Sequence, residues 1–400
     1  MKPRMLIVHG GAPTAVMNAS LRGAIEAAGA SGETGGILGA RGGIGAILRR
    51  DFVDLSGLPR EELERLPFTP GSCIGTSREP VEEGQYDALA ETLAAEGVGY
   101  VLFNGGNGSM EACGKLARAA ARRPSTAGIS FAGIPKTIDN DLAVTDHAPG
   151  FGSAARFLAA SVAELAQDVA SLPIHVCVIE SMGRNAGWLT AASLLARPEP
   201  APGGVADERL GPHLVYVPEL PFDEERFLDE AKALYGRLGG VVVVASEGLR
   251  GEDGKPIVPP VFQVGRSVYY GDVSAHLCGL VIRRLGIKAR SEKPGILGRC
   301  SAAHQSPLDR EEAVLAGREA ALYALARKAP AMVGFRRLSS SPYRCETFPV
   351  PIEEVMLRER VLPPEFLAEG GRGIAEGYIE WCRPLVGGPL PRLAGRPAPP

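Results

Sequence analysis

The sequence predicts an α/β fold, two doubly wound, Rossmann-like lobes built on mainly parallel sheets. Three observations lead there. Short, almost wholly apolar runs recur, each running into a turn and most followed by a helix-like segment; buried parallel strands read as continuous apolar runs rather than as alternation. Glycine is abundant, at 51 residues, while aromatic residues reach only 6%, which suits tight turns and close helix–strand packing better than an aromatic-rich sandwich. At 400 residues the chain holds more βαβ units than one mononucleotide-binding half requires.

Met5–Val8 reads as the first strand, with Gly10-Gly11 as its turn and a helix through Ala28 stopped by Gly29. Tyr100–Phe103 leads through Asn104-Gly105-Gly106 into a helix reaching about Arg122. Ile129–Ala132 leads into Gly133-Ile134-Pro135-Lys136. Val176–Ile179 leads into Glu180–Gly183 and a helix near Ala186–Ala196, and Leu214–Val217 and Val241–Ala245 repeat the strand pattern. The chain is expected to return to the first lobe near residue 300. That gives one lobe of residues 1–150 plus about 300–400, and a second of 151–299.

Hydrophobic residues at 45% and charged residues at 22% exclude a wholly disordered chain. A net charge of −3 speaks against nucleic-acid binding by bulk charge. The seven cysteines show no CxxC pair and no zinc spacing, so free thiols in a reducing compartment are expected. Apolar runs all fall short of the roughly 20 residues of a membrane span. These features together describe a soluble, cytoplasmic enzyme with neither nucleic acid nor membrane as partner.

The chemistry gathers behind the predicted strands, where open α/β sheets bind ligands. Gly105-Gly106-Asn107-Gly108-Ser109 precedes a helix, so backbone N–H groups and the helix N-terminus can face an anion there. Gly10-Gly11 offers a second such turn, and each also reads as an ordinary βα turn. Lys136-Thr137-Ile138-Asp139-Asn140-Asp141 is more specific, since a cation, a hydroxyl and two carboxylates follow a core strand directly. One carboxylate can serve as a base while the second orients it or approaches a metal. Arg184, in Met182-Gly183-Arg184, would oppose the macrodipole at a helix start, which suggests an anionic partner. Glu247 closes another strand and suits sugar hydroxyls. Together these parts describe phosphoryl transfer to a hydroxyl.

PKTIDND, MGRNAG, GGNGS and SEG, in kind and spacing, resemble the phosphofructokinase family over nearly the whole chain. PTAVMNAS, GTSR, Arg358-Glu359-Arg360 and PLVGG resemble its bacterial pyrophosphate-using branch most closely. The resemblance implies that Asp139 takes the proton of a sugar 1-hydroxyl, with Asp141 and Thr137 positioning that hydroxyl and the phosphoryl group. Arg184 would stabilise charge on the phosphoryl group. Met182, Gly183 and Glu247 would line the sugar site, and Gly11, Arg78, Gly106, Asn107, Gly108, Ser109 and Lys136 would surround the donor. Arg290 would reach a neighbouring subunit's sugar site and Arg299 its own, implying a homodimer or homotetramer with shared sites. Mg²⁺ is the implied cofactor, with Asn107 and Asp139 or Asp141 as candidate ligands.

The departures from the family bear on the donor and the sugar. The family turn is usually GGDG in ATP users and GGDD or a close relative in pyrophosphate users. Asn107 keeps a carbonyl that can ligate Mg²⁺ or hold its water. Gly108 removes the side chain that crowds an α-phosphate, which tilts the expectation to ATP. Lys136 is the residue pyrophosphate users carry where bacterial ATP users have glycine, although some ATP users share the glycine-plus-lysine combination. His175 stands where many ATP users carry a phosphate-binding arginine. Ile296 stands where they carry histidine and pyrophosphate users often carry tyrosine. Ile296 reads as core packing, with Arg290 and Arg299 sufficient; the other reading is a relaxed or changed sugar. The expectation is a 6-phosphofructokinase-type phosphotransferase using ATP or pyrophosphate on fructose 6-phosphate. The alternatives are a kinase of a related sugar or sugar phosphate, and a regulatory sugar-phosphate-binding paralogue.

Overall fold

The structure is a computed structural model describing residues 2–198, 207–264, 267–356, 358–368, 373–391 and 393. It divides into two compact units, Met1–Ser153 with Arg299–Arg360, and Ala154–Gly298 with the chain from Val361 onward. The strands in chain order are β1 (Arg4–His9), β2 (Ile37–Ala40), β3 (Phe52–Asp54), β4 (Val98–Gly105), β5 (Ser130–Pro135), β6 (Val176–Ser181) and β7 (Leu214–Tyr216). They continue with β8 (Val241–Ser246), β9 (Pro260–Val264), β10 (Ser267–Tyr270), β11 (Ala289–Glu292), β12 (Ala331–Ser340) and β13 (Tyr343–Pro351).

In the first unit, the described strands form a seven-stranded sheet in the order β13-β12-β5-β4-β1-β2-β3. It is parallel from β12 to β2, with an antiparallel strand at each edge. Alternate residues of β1 enter opposite clusters, Leu6 and Val8 on one face, Met5 and Ile7 on the other. Both faces of this sheet are therefore covered, as a parallel sheet requires. On one of them the helix Met17–Ser31 lies against the helix Pro307–Leu325. The two backbones approach closely enough that a Cβ on Gly23 would strike the Val314 carbonyl and one on Gly317 the Ser20 carbonyl. The first helix runs past Gly29 and ends at Gly32, whose φ of +65° supplies the left-handed cap. The β12–β13 pair escapes the apolar-run pattern because Arg336, Arg337 and Arg344 interrupt it.

In the second unit, β11-β6-β8-β7 form a parallel sheet, and β9 and β10 pair antiparallel. The assignment of about 300–400 to the first lobe fails from Val361 onward. Phe366, Tyr378 and Trp381 pack on the buried Trp188, with ring centroids 5.8, 6.2 and 4.9 Å away. The Tyr378 hydroxyl donates to the Trp188 carbonyl. Burying such rings outweighs ordering a short terminal segment. Among the described residues, no helix is long and apolar enough to cross a membrane.

A buried charge network in the first unit holds the loop after β5. His147 Nδ1 meets Asp146 at 2.9 Å and Nε2 meets Glu312 at 2.7 Å. Arg337 pairs with Asp146 at 2.9 Å, and the Tyr343 hydroxyl donates to Glu312 at 2.6 Å. Burial pulls His147 down, but Glu312 and Asp146 outweigh it and push the imidazole up to about 9. A raised histidine stabilises fully below its unfolded value near 6.5 and loses that contribution as pH rises through 9. His147→Gln should therefore cost roughly 3 kcal/mol at pH 6 and far less at pH 9.5. Denaturant unfolding at the two pH values checks this, and an equal cost at both would refute it.

Candidate active site

In the first unit three parallel strands end together. His9 of β1 is in register with Asn104 of β4, and Gly105 of β4 with Pro135 of β5. The loops behind them carry the predicted donor residues. The Gly11 amide is already spent on the Ser77 carbonyl at 2.9 Å, so this glycine offers space rather than a donor. The helix Asn107–Ala121 starts behind Gly106 and carries no acid of its own in its first turn. Ser109 fills the space where Gly10 and Gly105 would bear a Cβ, whereas a Cβ on Gly108 meets nothing within 4 Å. Arg78 is exposed.

Lys136 is the electrostatic centre of this unit's site. It is 4% exposed, and its ammonium donates to the Ala12 carbonyl at 2.7 Å. Burial brings Lys136 down to about 8; Asp139 and Asp141 act upward, Arg78 and Arg299 downward. A bound anion beside it would restore the full charge. His9, which the sequence did not single out, feels the charge of this lysine. It is buried, bonds Ser72 at 2.7 Å, and is held neutral at about 3 by burial and by Lys136.

The Thr137–Asp141 loop is fixed from within. Thr137 Oγ1 accepts from the Asp139 amide at 3.1 Å and donates to Asp141 Oδ1 at 3.0 Å. Asn107 Nδ2 donates to Asp141 Oδ2 at 2.9 Å. Asn140, between the two aspartates, takes a left-handed φ of +54° and caps the Ala148 amide at 3.0 Å. The Arg360 amide donates to the Asp141 carbonyl at 2.8 Å, which brings Arg358-Glu359-Arg360 alongside. Burial and the Glu359 carboxylate both push Asp141 up. A carboxylate in that position gains from a nearby cation. Asn107 Oδ1 is buried with no hydrogen-bond partner, a vacant oxygen acceptor close to the Asp141 carboxylate. Oxygen donors of this kind fit Mg²⁺.

In the second unit, β6 and β8 end in register at Ser181 and Ser246. Gly183, at φ +112°, donates its amide to Glu247 Oε1 at 3.3 Å, and Arg184 Nε lies 4.0 Å from the same oxygen. Arg184 does not start a helix. The next helix begins at Trp188, four residues on, so Arg184 does not oppose a helix macrodipole as its sequence position suggests. The structure thus brings the Met182-Gly183-Arg184 turn after β6 up to Glu247, which follows β8. Arg290 lies elsewhere in this unit, in register with Cys177, and lines a cavity of about 240 Å³ with His175 and Lys288. Arg283 and Arg284, close to Arg290 in sequence, are not among the residues lining that cavity, and Arg284 pairs with Glu225 at 2.9 Å. Arg299 belongs to the first unit, where its charge acts on Lys136 and Asp139 acts on it. Ile296 is 63% exposed, which overturns its reading as core packing.

Residues 4–323 match the family described as Phosphofructokinase. The pyrophosphate–fructose 6-phosphate 1-phosphotransferase of Xanthomonas campestris pv. campestris is 36% identical, over 98% of this chain and 93% of that protein. The sulfofructose kinase of Alkalicoccus urumqiensis is 29% identical over 96% of this chain and 95% of that protein. The solved pyrophosphate-dependent phosphofructokinase of Nitrosospira multiformis superposes with a TM-score of 0.86 at 31% identity, covering 99% of this chain and 95% of that one. The likeness runs through both units rather than through one motif, and the chain belongs to the phosphofructokinase family, phosphotransferases with an alcohol group as acceptor.

Proposed function

We propose that this enzyme transfers a phosphoryl group from pyrophosphate to the 1-hydroxyl of fructose 6-phosphate in the cytoplasm. The observation that carries the reading is Lys136, a buried cation at the ends of parallel strands beside an acid-free helix N-terminus. The relative at 36% identity supports pyrophosphate and fructose 6-phosphate by its name. All seven cysteines are free, as suits a reducing compartment.

Asp139 takes the proton of the 1-hydroxyl as its oxygen forms the new bond to phosphorus. The bond from that phosphorus to the donor's bridging oxygen breaks, and phosphate leaves with the electron pair. Asp141 and Thr137 hold the loop that presents Asp139. Gly11, Arg78, Gly106, Gly108, Ser109 and Lys136 are assigned to the donor, and Arg184 to the charge on the phosphoryl group. Met182, Gly183, Glu247 and Arg299 are assigned to the acceptor. Asn107, with Asp139 or Asp141, would hold Mg²⁺, which when bound supplies charge neutralisation to the donor's phosphates.

A second donor, ATP, is favoured by the open space at Gly108. Steady-state assays of purified protein with each donor, against fructose 6-phosphate and related sugars, test both readings. Formation of fructose 1,6-bisphosphate from pyrophosphate is the expected result, and activity with neither donor would overturn the proposal.

Assembly is proposed as a homodimer or homotetramer whose Arg290 completes a neighbour's sugar site. Its separation from the Glu247 turn within its own unit supports this. Arg290→Ala should raise the KM for the sugar at least tenfold while the subunit stays folded. Mixed with Asp139→Asn subunits, it should regain activity above the sum of the separate preparations. A fully active monomer would refute the shared site.

A further inference from the structure

A charged group outside the residues assigned so far stands at the carboxyl end of β6. Glu180 lies just before the last residue of that strand, and its side chain is 2% exposed. Its Oε2 accepts from the Ser274 amide at 3.1 Å, in the first turn of the helix Val273–Leu280. Its Oε1 meets the Lys293 ammonium at 2.6 Å. Lys293 follows β11 directly, is 45% exposed, and lies 3.9 Å from Asp272. Glu247, already placed at the acceptor turn, also acts on its charge.

A buried carboxylate needs a partner, and Lys293 supplies one. Stability alone does not account for the arrangement, because a buried ion pair is often replaceable by apolar residues without loss. The lysine side chain is 45% exposed and follows β11 at the carboxyl end of the sheet, where open sheets take their ligands. An ammonium has three N–H donors. One is committed to Glu180, and the 3.9 Å to Asp272 is too long for a hydrogen bond. Glu180 and Asp272 lie within 4 Å of this single lysine and the charge of Glu247 also acts on it, a setting that repels a phosphate dianion and accepts a neutral hydroxyl.

We propose that Lys293 is a further acceptor-binding residue, its ammonium hydrogen-bonding a sugar hydroxyl oxygen, with Glu180 as the positioning residue behind it. This rests on fructose 6-phosphate being the acceptor. The test measures fructose 6-phosphate binding by calorimetry together with steady-state kinetics, for wild type, Lys293→Met and the double variant Glu180→Gln/Lys293→Met. Lys293→Met should raise Kd and KM for fructose 6-phosphate at least tenfold, with the donor KM changed less than twofold. The double variant removes the buried charge, so it folds even where the single variant does not, and it should keep the defect. Wild-type affinity in the double variant would overturn the proposal, because Lys293 would then only neutralise Glu180. Unchanged affinity in Lys293→Met would overturn it as well. A wild type that neither binds nor phosphorylates fructose 6-phosphate would sink this proposal and the proposed function together. A competent wild type with an indifferent Lys293→Met would sink this proposal alone.

Discussion

Replacing Asp139 by asparagine should lower kcat by about 10²–10⁴-fold while leaving the KM of both substrates within a few-fold. The size follows from what is removed. Asparagine keeps the shape of the side chain but cannot take the proton of the attacking hydroxyl, so the loss falls on the transition state and not on binding. The geometry favours a clean result. The loop is held through backbone and neighbouring groups, the Asp139 amide on Thr137 Oγ1 at 3.1 Å and Thr137 on Asp141 at 3.0 Å. None of those bonds uses the Asp139 carboxylate. Asp141→Asn is the instructive contrast. Its carboxylate accepts from both Thr137 and Asn107, and an amide has one acceptor oxygen where the carboxylate has two. That variant should disturb the loop, and so raise KM as well as lower kcat. Near wild-type kcat in Asp139→Asn at saturating substrate would remove Asp139 from the role of base.

The parallel strands were legible because each is a run of apolar residues with no competing reading. Val241–Val244 and Tyr100–Phe103 fit a buried strand and little else. The β12–β13 pair was not, since Arg336, Arg337 and Arg344 break its apolar run and read as a charged loop. The position where the first helix stops was misplaced by three residues, because Gly29 and Gly32 look alike until the chain shows which one takes a positive φ. Within the candidate site, motif-bound residues such as Lys136, Asp139 and Glu247 stood out, since a charge behind a core strand costs free energy unless it has a use. His9, Glu180 and Lys293 did not. Their meaning depends on partners distant in sequence, Ser72 for His9 and the 113-residue separation of Glu180 from Lys293, and no local pattern encodes such pairs. The exposure of Ile296 was equally hidden, because an isoleucine beside a glycine carries no mark of which way it faces.

Gly108→Asp should separate the two donors. A Cβ at this position meets nothing within 4 Å, and the residue sits in the first turn of the helix Asn107–Ala121, which has no acid of its own. An aspartate there is favourable for the helix, so the variant should fold at least as well as wild type. Its carboxylate would occupy the space into which an α-phosphate must pass. Two unit charges about 4 Å apart at an effective dielectric near 20 repel by roughly 4 kcal/mol, on the order of a 10³-fold loss in kcat/KM. Pyrophosphate has no third phosphate to meet that carboxylate, so the added charge should cost it far less. The ATP-to-pyrophosphate ratio of kcat/KM should therefore fall by two to three orders of magnitude, on the basis of that repulsion. Gly108→Asn, similar in size but uncharged, should produce a smaller drop, which separates crowding from repulsion. A donor ratio that Gly108→Asp leaves unchanged would show that no α-phosphate passes residue 108. Failure of wild type to use ATP at all would show that open space there is not enough to admit it, and would leave Lys136 and the pyrophosphate-using relatives as the better guides to the donor.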